Sequence, residues 1–232
     1  MANKKDYIGS ELDLFSHAKI WKYYWAQKIK PLIQGPVLEV GAGIGSNTSV
    51  LRKKDEVWHQ LEPDEKFYKQ LKKQNKILKN CEAFNGFLGN HPKKDYQTII
   101  YIDVLEHIMK DQDELKLAAN KLNKQGILIV LSPAHQFLMS KFDRNIGHFR
   151  RYNKKMLRTI CPEGMIIQNQ FYLDSVGLLA SAAAKFLVPS GNPTLNQILL
   201  WDRFMVQISR LLDPLLLFSL GKTIITVYKK NN

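Results

Sequence analysis

Two histidines, three carboxylates and a pair of arginines carry most of the chemistry that this 232-residue chain offers. His107 stands in Asp103-Val104-Leu105-Glu106-His107, and His148 in Phe142-Asp143-Arg144-Asn145-Ile146-Gly147-His148-Phe149-Arg150-Arg151-Tyr152. An imidazole with an ordinary pKa of about 6.5 can take a proton at neutral pH, so either histidine could serve as a general base. Each could equally brace its own loop. Arg150 and Arg151 suit a phosphate or carboxylate, which guanidinium groups bind through paired hydrogen bonds, and Tyr152 can donate or stack. The structural alternative is that Asp143 pairs with one arginine and the loop is simply held. Glu39, Glu62 and Asp103 are the carboxylates placed to meet a polar ligand.

The element that would position such a ligand is Val37-Leu38-Glu39-Val40-Gly41-Ala42-Gly43-Ile44-Gly45. An apolar run with one acidic residue reads as a buried strand, and glycines at alternate positions let the chain turn with positive φ and let a ligand approach where a Cβ would intrude. Ser46-Asn47-Thr48 then read as capping residues of a helix beginning before Val50-Leu51, whose free N–H groups would face the ligand. Val57 to Leu61 read as a second strand ending at Glu62, seventeen residues past Gly45. A carboxylate at that tip can accept both hydroxyls of a ribose. Pro63-Asp64-Glu65 open a helix, Cys81 to Phe84 form a short third strand, and Gln97 to Ile102 form a fourth that ends at Asp103.

A dinucleotide fingerprint places glycine at the first, third and sixth positions. Here the sixth position is Ser46, and the glycine stands at Gly45. This spacing, with Glu39 upstream, resembles motif I of class I S-adenosylmethionine-dependent methyltransferases. The ordered motifs from residue 36 to 160 resemble the small-molecule branch of that family, including ubiquinone and menaquinone biosynthesis enzymes. The resemblance implies that Gly41, Gly43 and Gly45 border the amino-acid end of S-adenosylmethionine. Glu39 would hold the loop or the cofactor's amino group, Glu62 the ribose, Asn85 and Gly86 the adenine, and Asp103 the same crevice. Many members carry an aspartate where this chain has Asn85, whose amide oxygen can still accept. The acceptor pocket would include Arg150, Arg151 and Tyr152, with His107 or His148 as base.

From Val37 onward strand and helix alternate five times, which implies a parallel, doubly wound sheet with right-handed crossovers. Asp111 and Glu114 read as a capping box, and Ile127 to Leu131 as a strand buried on both faces. Met165 to Leu173 and Thr223 to Tyr228 add two strands. In the family these close a seven-stranded, Rossmann-like sheet with an antiparallel last strand. The whole chain, 1–232, reads as one domain, with an aromatic helical lead-in over residues 1–35 that could lie across the cofactor mouth. Residues 174–221 read as a helical insertion: an apolar stretch from Val176 to Val188, breaks at Gly191 and Pro193, then a helix placing Trp201, Phe204, Met205, Ile208, Leu211, Leu212 and Leu215 at helical spacing. Burial of each such side chain is worth roughly 1.5–3 kcal/mol, so this face is expected to cover the fold, with subunit pairing, a substrate pocket wall or a membrane surface as other uses.

Thirty-four basic against 21 acidic residues give a net charge of +13. That charge motivates an RNA methyltransferase as a rival, although the lysines are scattered where a nucleic-acid footprint would cluster. A second rival is a non-catalytic S-adenosylmethionine-binding regulator. Two cysteines, Cys81 and Cys161, are too few for a disulfide scaffold and point to a reduced, cytoplasmic setting. The polar Met1–Asp6 segment lacks the apolar core of a signal peptide, and no run reaches the length of a spanning helix. Amino methylation of DNA bases uses an Asn/Asp-Pro-Pro-aromatic stretch after strand four, where this chain has Asp103-Val104-Leu105-Glu106. Neither cysteine stands where cytosine-carbon methylation needs a nucleophile, and no acidic cluster has the spacing of an octahedral magnesium site. The expected partner is therefore a small-molecule or lipid-like acceptor with no metal.

Overall fold

Side chains alternate between the two faces of a strand, and both faces are apolar here. Leu38, Val40, Ile99, Tyr101, Leu128 and Val130 pack into one core layer, while Val37, Ile100, Ile102, Ile129 and Leu131 pack into the other. The computed structural model describes residues 10–187 and 192–232; the Met1–Asp6 segment and the Val188 and Gly191 bounds of the insertion lie outside them. One sheet holds β1 (Val37–Val40), β2 (Trp58–Glu62), β3 (Cys81–Asn85), β4 (Tyr96–Ile102), β5 (Leu122–Pro133), β6 (Met165–Leu173) and β7 (Thr223–Lys230). Its spatial order is β3-β2-β1-β4-β5-β7-β6. β1 to β5 run parallel, and β7 lies antiparallel between β5 and β6. This is the Rossmann-like sheet the alternation implied.

The helices are α1 (Ser10–Ser16), α2 (Lys19–Ile29), α3 (Thr48–Leu51), α4 (Glu65–Asn75), α5 (Asp111–Lys121), α6 (Lys141–Asn145), α7 (Lys154–Thr159), α8 (Ser175–Leu187), α9 (Leu195–Leu200) and α10 (Val206–Leu215). A turn of π-helix, Trp201–Met205, joins α9 to α10. Trp21, Tyr24, Trp25 and Ile29 of α2 are buried in the second core layer, so most of the lead-in's rings pad the sheet. Tyr23 remains exposed.

Two local expectations change. The helix after the glycine loop is a single turn, and its N-cap Asn47 makes no side-chain cap. Thr48 turns its hydroxyl inward to Glu39 instead. At α5, Asp111 and Glu114 form no capping box, because tertiary partners claim both: Asp111 accepts from Tyr152 and Arg150, and Glu114 accepts the Tyr101 hydroxyl at 2.9 Å.

The largest difference lies in the insertion. Its buried positions include Trp201, Asp202, Val206, Ser209 and Asp213, whereas Phe204, Ile208, Leu211, Leu212 and Leu215 are exposed. The expected apolar cover is thus turned outward. The reason is that the aspartates serve backbone donors elsewhere. Asp202 accepts from the amides of Ile20 (3.2 Å) and Trp21 (2.7 Å), capping α2, whose own N-cap Ala18 has no side-chain acceptor. Asp213 accepts from the amides of Asp174 and Ser175 and from the Tyr24 hydroxyl at 2.8 Å. Orphan N–H groups at a helix start are strong claims on a buried carboxylate.

Candidate active site

The carboxyl ends of β1, β2 and β4 meet at one crevice, where open α/β sheets bind ligands. Gly41, Gly43 and Gly45 have φ of +67°, +55° and +78°. A Cβ on Gly41 would lie 2.6 Å from Val104 Cγ2, and one on Gly43 would lie 3.2 Å from Leu12 Cδ1. Both the backbone conformation and the space therefore require glycine at Gly41. Leu12 belongs to α1, so the lead-in does lie over the loop.

Buried carboxylates pin this loop. Glu62 Oε2 accepts the Gly43 amide at 2.7 Å, and Oε1 accepts the Asp64 amide at 2.9 Å. Burial raises the Glu62 pKa, partly offset by those two backbone donors. Glu39 accepts from Thr48 Oγ1 and, at 2.9 Å, from Trp58 Nε1, while its Oε1 has no hydrogen-bond partner. Burial lifts Glu39 to about 7, against the pull of its two donors and of Lys22.

Lys22, on α2, drew no notice in the sequence. Its Nζ donates to Ser46 Oγ at 2.6 Å, and Asp103 and Glu39 are the charges that act on it while burial lowers its pKa. A lysine amid helical aromatics gives no motif; only the packing of α2 over the loop brings it here.

Asn85 donates through Nδ2 to the carbonyls of Glu62 (3.0 Å) and Pro63 (3.3 Å), which leaves its oxygen as the group able to accept. Gly86 follows with φ +133° and open space at its Cβ position. Asp103 has φ +53° and donates its amide to Leu131 at 2.9 Å. The residue is open to the crevice, yet surrounding protein desolvates its carboxyl and raises it to about 6, against the fields of His148, Lys22 and Lys222.

Both histidines come together near Asp103, on whose carboxyl the His148 field acts. His107 and His148 stack edge to face, with centroids 4.5 Å apart. Burial, with His148 adding, pushes His107 down to about 4, so it is neutral at physiological pH and a weak base. His148 Nδ1 lies 2.9 Å from Asp143 Oδ1, and its Nε2 lies 3.9 Å from Glu106 Oε1. Burial raises the Asp143 carboxyl, but His148, Arg151 and Ser140 outweigh it and hold the group well below the usual carboxylate range. Glu106 is raised well above its ordinary value by burial, with Asp103 adding.

The arginines and tyrosine of the 142–152 loop face protein groups. Arg151 grips Asp143 through Nε and Nη2, both at 3.0 Å. Arg150 pairs with Asp111 and donates to the Met109 carbonyl at 2.9 Å. Tyr152 is wholly buried, with its hydroxyl 2.8 Å from Asp111. This is the bracing arrangement that the sequence left open. A cavity of about 360 Å³ lies behind it, lined by Asp111, Arg150, Tyr152 and Met156, and another of about 480 Å³ lies outside the glycine loop near Gly45, Ser46 and Gln74.

This sheet order and glycine crevice define the fold of S-adenosylmethionine-dependent methyltransferases. A putative sarcosine dimethylglycine methyltransferase from Galdieria sulphuraria superposes with a TM-score of 0.61 at 14% identity, covering 91% of this chain and 86% of that one. A possible histamine N-methyltransferase from Thermotoga maritima gives 0.61 at 16%, covering 96% and 94%. Coclaurine N-methyltransferase, solved with N-methylheliamine and S-adenosylhomocysteine, gives 0.60 at 14%, covering 92% and 72%. A scan against protein-family models finds no match, and a search of curated proteins finds none either.

Proposed function

We propose that this protein transfers a methyl group from S-adenosylmethionine to a small, lipid-like acceptor. The observation that carries the reading is the Glu62 carboxylate locked onto the Gly43 amide, which joins the tip of β2 to the glycine loop. The donor set fits the cofactor from end to end. Lys22 matches the carboxylate of its amino-acid part, and the unpartnered Glu39 Oε1 lies as a second polar atom beside the same loop. Glu62 suits the ribose, and the Asn85 oxygen suits the adenine amino group. S-adenosylmethionine, when bound, supplies a methyl on an electrophilic sulfonium. The chain's own part is to orient the acceptor in line and exclude water. Leu12 and Lys22 close over the loop to that end. Asp103, with a pKa of about 6, is suited to take an acceptor proton near neutral pH.

A lipid-like acceptor is supported by the outward face of α9 and α10. Phe204, Leu211 and Leu215 are 62%, 73% and 78% exposed. Asp202 and Asp213 are buried, so the charges that reach the surface among residues 192–221 are cations, the exposed Arg203 and the half-buried Arg210. Leucines flanked by cations on an amphipathic helix suit an anionic bilayer surface, with the apolar side chains inserted and the arginines at the headgroups. No helix among the described residues is long and apolar enough to cross a membrane. The bilayer would thus be visited from one side.

Calorimetric titration with S-adenosylhomocysteine tests the first half of the proposal; one equivalent bound per chain is expected, and absence of binding overturns it. Incubation with methyl-labelled S-adenosylmethionine and separated lipid and aqueous extracts tests the second half. Label entering only the aqueous fraction, or RNA, would overturn the lipid-like acceptor.

A further inference from the structure

The environment of Glu106 is unusual for a glutamate. The residue is wholly buried, and neither carboxylate oxygen has a hydrogen-bond partner. The Ser132 hydroxyl and the residue's own amide lie near the carboxyl and pull its pKa down against burial, but neither reaches full hydrogen-bond geometry. Burial holds Glu106 toward its protonated form; a buried carboxyl so placed can exchange that proton for a compensating cation, and the surrounding groups decide what it holds.

His148 indicates what that is. A carboxylate only accepts, so at 2.9 Å Asp143 Oδ1 must accept a hydrogen bond from the His148 Nδ1–H. In the neutral ring this leaves a lone pair on Nε2. That lone pair faces Glu106 Oε1 across 3.9 Å, beyond hydrogen-bonding distance. At that distance the imidazole nitrogen and the carboxyl, which burial holds toward its neutral form, make no hydrogen bond. His107 completes the group: the three donor atoms, one each from Glu106, His107 and His148, all lie within 4.8 Å of one another. Donors on one tetrahedral ion with bonds of about 2.0–2.1 Å sit about 3.3 Å apart, so the three would close by up to about 1.5 Å to hold one ion.

We propose that Glu106, His107 and His148 bind a divalent first-row transition cation beneath the crevice floor. Two imidazoles and one carboxylate favour zinc, cobalt or iron over magnesium or calcium, which prefer all-oxygen sites. Asp143 is the supporting residue: it fixes the tautomer and orientation of His148, and Arg151 fixes Asp143 in turn. Such carboxylate–histidine support is a common feature of metal sites. Three protein ligands leave a coordination position for an outside oxygen. On the reading proposed above, on which this role rests, a cation held by these residues would lower the pKa of an acceptor hydroxyl at that position, with Asp103 as the residue to take its proton. The spacing hid the group, since Glu106 and His107 are adjacent while His148 comes from the loop after β5.

The test uses the full chain, stripped with a chelator and dialysed, then titrated with zinc chloride and cobalt chloride. One equivalent per chain is expected for each, with cobalt giving visible absorption bands of a nitrogen-containing site and with magnesium at least about 100-fold weaker. Glu106→Gln and His148→Ala should each weaken zinc binding at least about 10-fold, and Asp143→Asn by roughly 10- to 100-fold. S-adenosylhomocysteine titrations on the same samples report separately on the methyltransferase reading, and circular dichroism reports on folding. Absence of saturable zinc or cobalt binding to the unaltered chain up to about 1 mM overturns the site. So does affinity that survives both Glu106→Gln and His148→Ala in folded protein. Metal binding without S-adenosylhomocysteine binding would keep the site and remove its proposed role.

Discussion

Glu62 Oε2 accepts the Gly43 amide at 2.7 Å, which ties the tip of β2 to the middle of the glycine loop through one carboxylate. The same group is the proposed ribose acceptor, so it both shapes the loop and meets the ligand. Glu62→Ala should therefore weaken S-adenosylhomocysteine binding by about 1.5–3 kcal/mol, the scale of a charged hydrogen bond. Gly43→Val should abolish it, because its backbone has φ +55° and its Cβ would press on Leu12. Calorimetry checks both, with circular dichroism to confirm folding. Undiminished affinity in either would remove the loop from the binding site.

Lys22 reaches the same loop from above, donating to Ser46 at 2.6 Å. If it meets the carboxylate of the cofactor's amino-acid end, Lys22→Met should cut affinity for S-adenosylhomocysteine by about 1.5–3 kcal/mol. Affinity for adenosine, which lacks that carboxylate, should stay within about threefold. An equal loss for both ligands would mean that Lys22 only shapes the loop.

Glu39 gives a pH signature. Burial lifts its folded pKa from 4.5 to about 7, so between those values the folded protein keeps a proton that the unfolded chain has released. Stability from this group is full below the unfolded pKa and falls as pH rises to about 7. The total is roughly 3 kcal/mol, at about 1.4 kcal/mol per pH unit. Glu39→Gln does not titrate. Whatever fixed cost the substitution carries, its melting temperature relative to the parent should climb from about pH 5 to about pH 8. Parallel curves would show that Glu39 is charged in the folded state throughout.

How much of this was legible beforehand follows the range of the interactions. The strands β1, β2, β4, β6 and β7 are local patterns of apolar residues between turn signals, and they lie where the sequence places them within a residue or two. Glycines with positive φ are likewise a local necessity. What could not be read was set by distant partners. Thr48 abandons a cap to serve Glu39, and Asp111 abandons one to serve Tyr152, 41 residues away. Lys22 reaches the site only because α2 packs on the sheet. Arg150 and Arg151 carried the right chemistry for an anion, yet Asp111 and Asp143 inside the protein meet it.

Asp202 is another long-range case, capping α2 at Trp21 from 181 residues away. Asp202→Ala would leave the Ile20 and Trp21 amides without their acceptor, at about 1–3 kcal/mol for each buried donor. Urea unfolding should show a lower midpoint at an unchanged slope. A midpoint within experimental error of the parent would mean that these amides find another acceptor.

Because Asp202 and Asp213 anchor the insertion by its polar side, Phe204 and Leu211 must face outward, and the outward face is where the proposed bilayer contact can be tested without touching the crevice. Hydrophobic transfer is only one part of interfacial binding; the other is attraction of Arg203 and Arg210 to anionic headgroups, which salt screens. Vesicles of phosphatidylglycerol and phosphatidylcholine should therefore sediment with the protein at low salt, and less so at high salt or without the anionic lipid. Phe204→Glu combined with Leu211→Glu should abolish co-sedimentation while leaving S-adenosylhomocysteine affinity within about twofold. If the parent instead remains in the supernatant and runs as a dimer that the double substitution dissociates, the face pairs two copies of this chain and the bilayer contact is refuted.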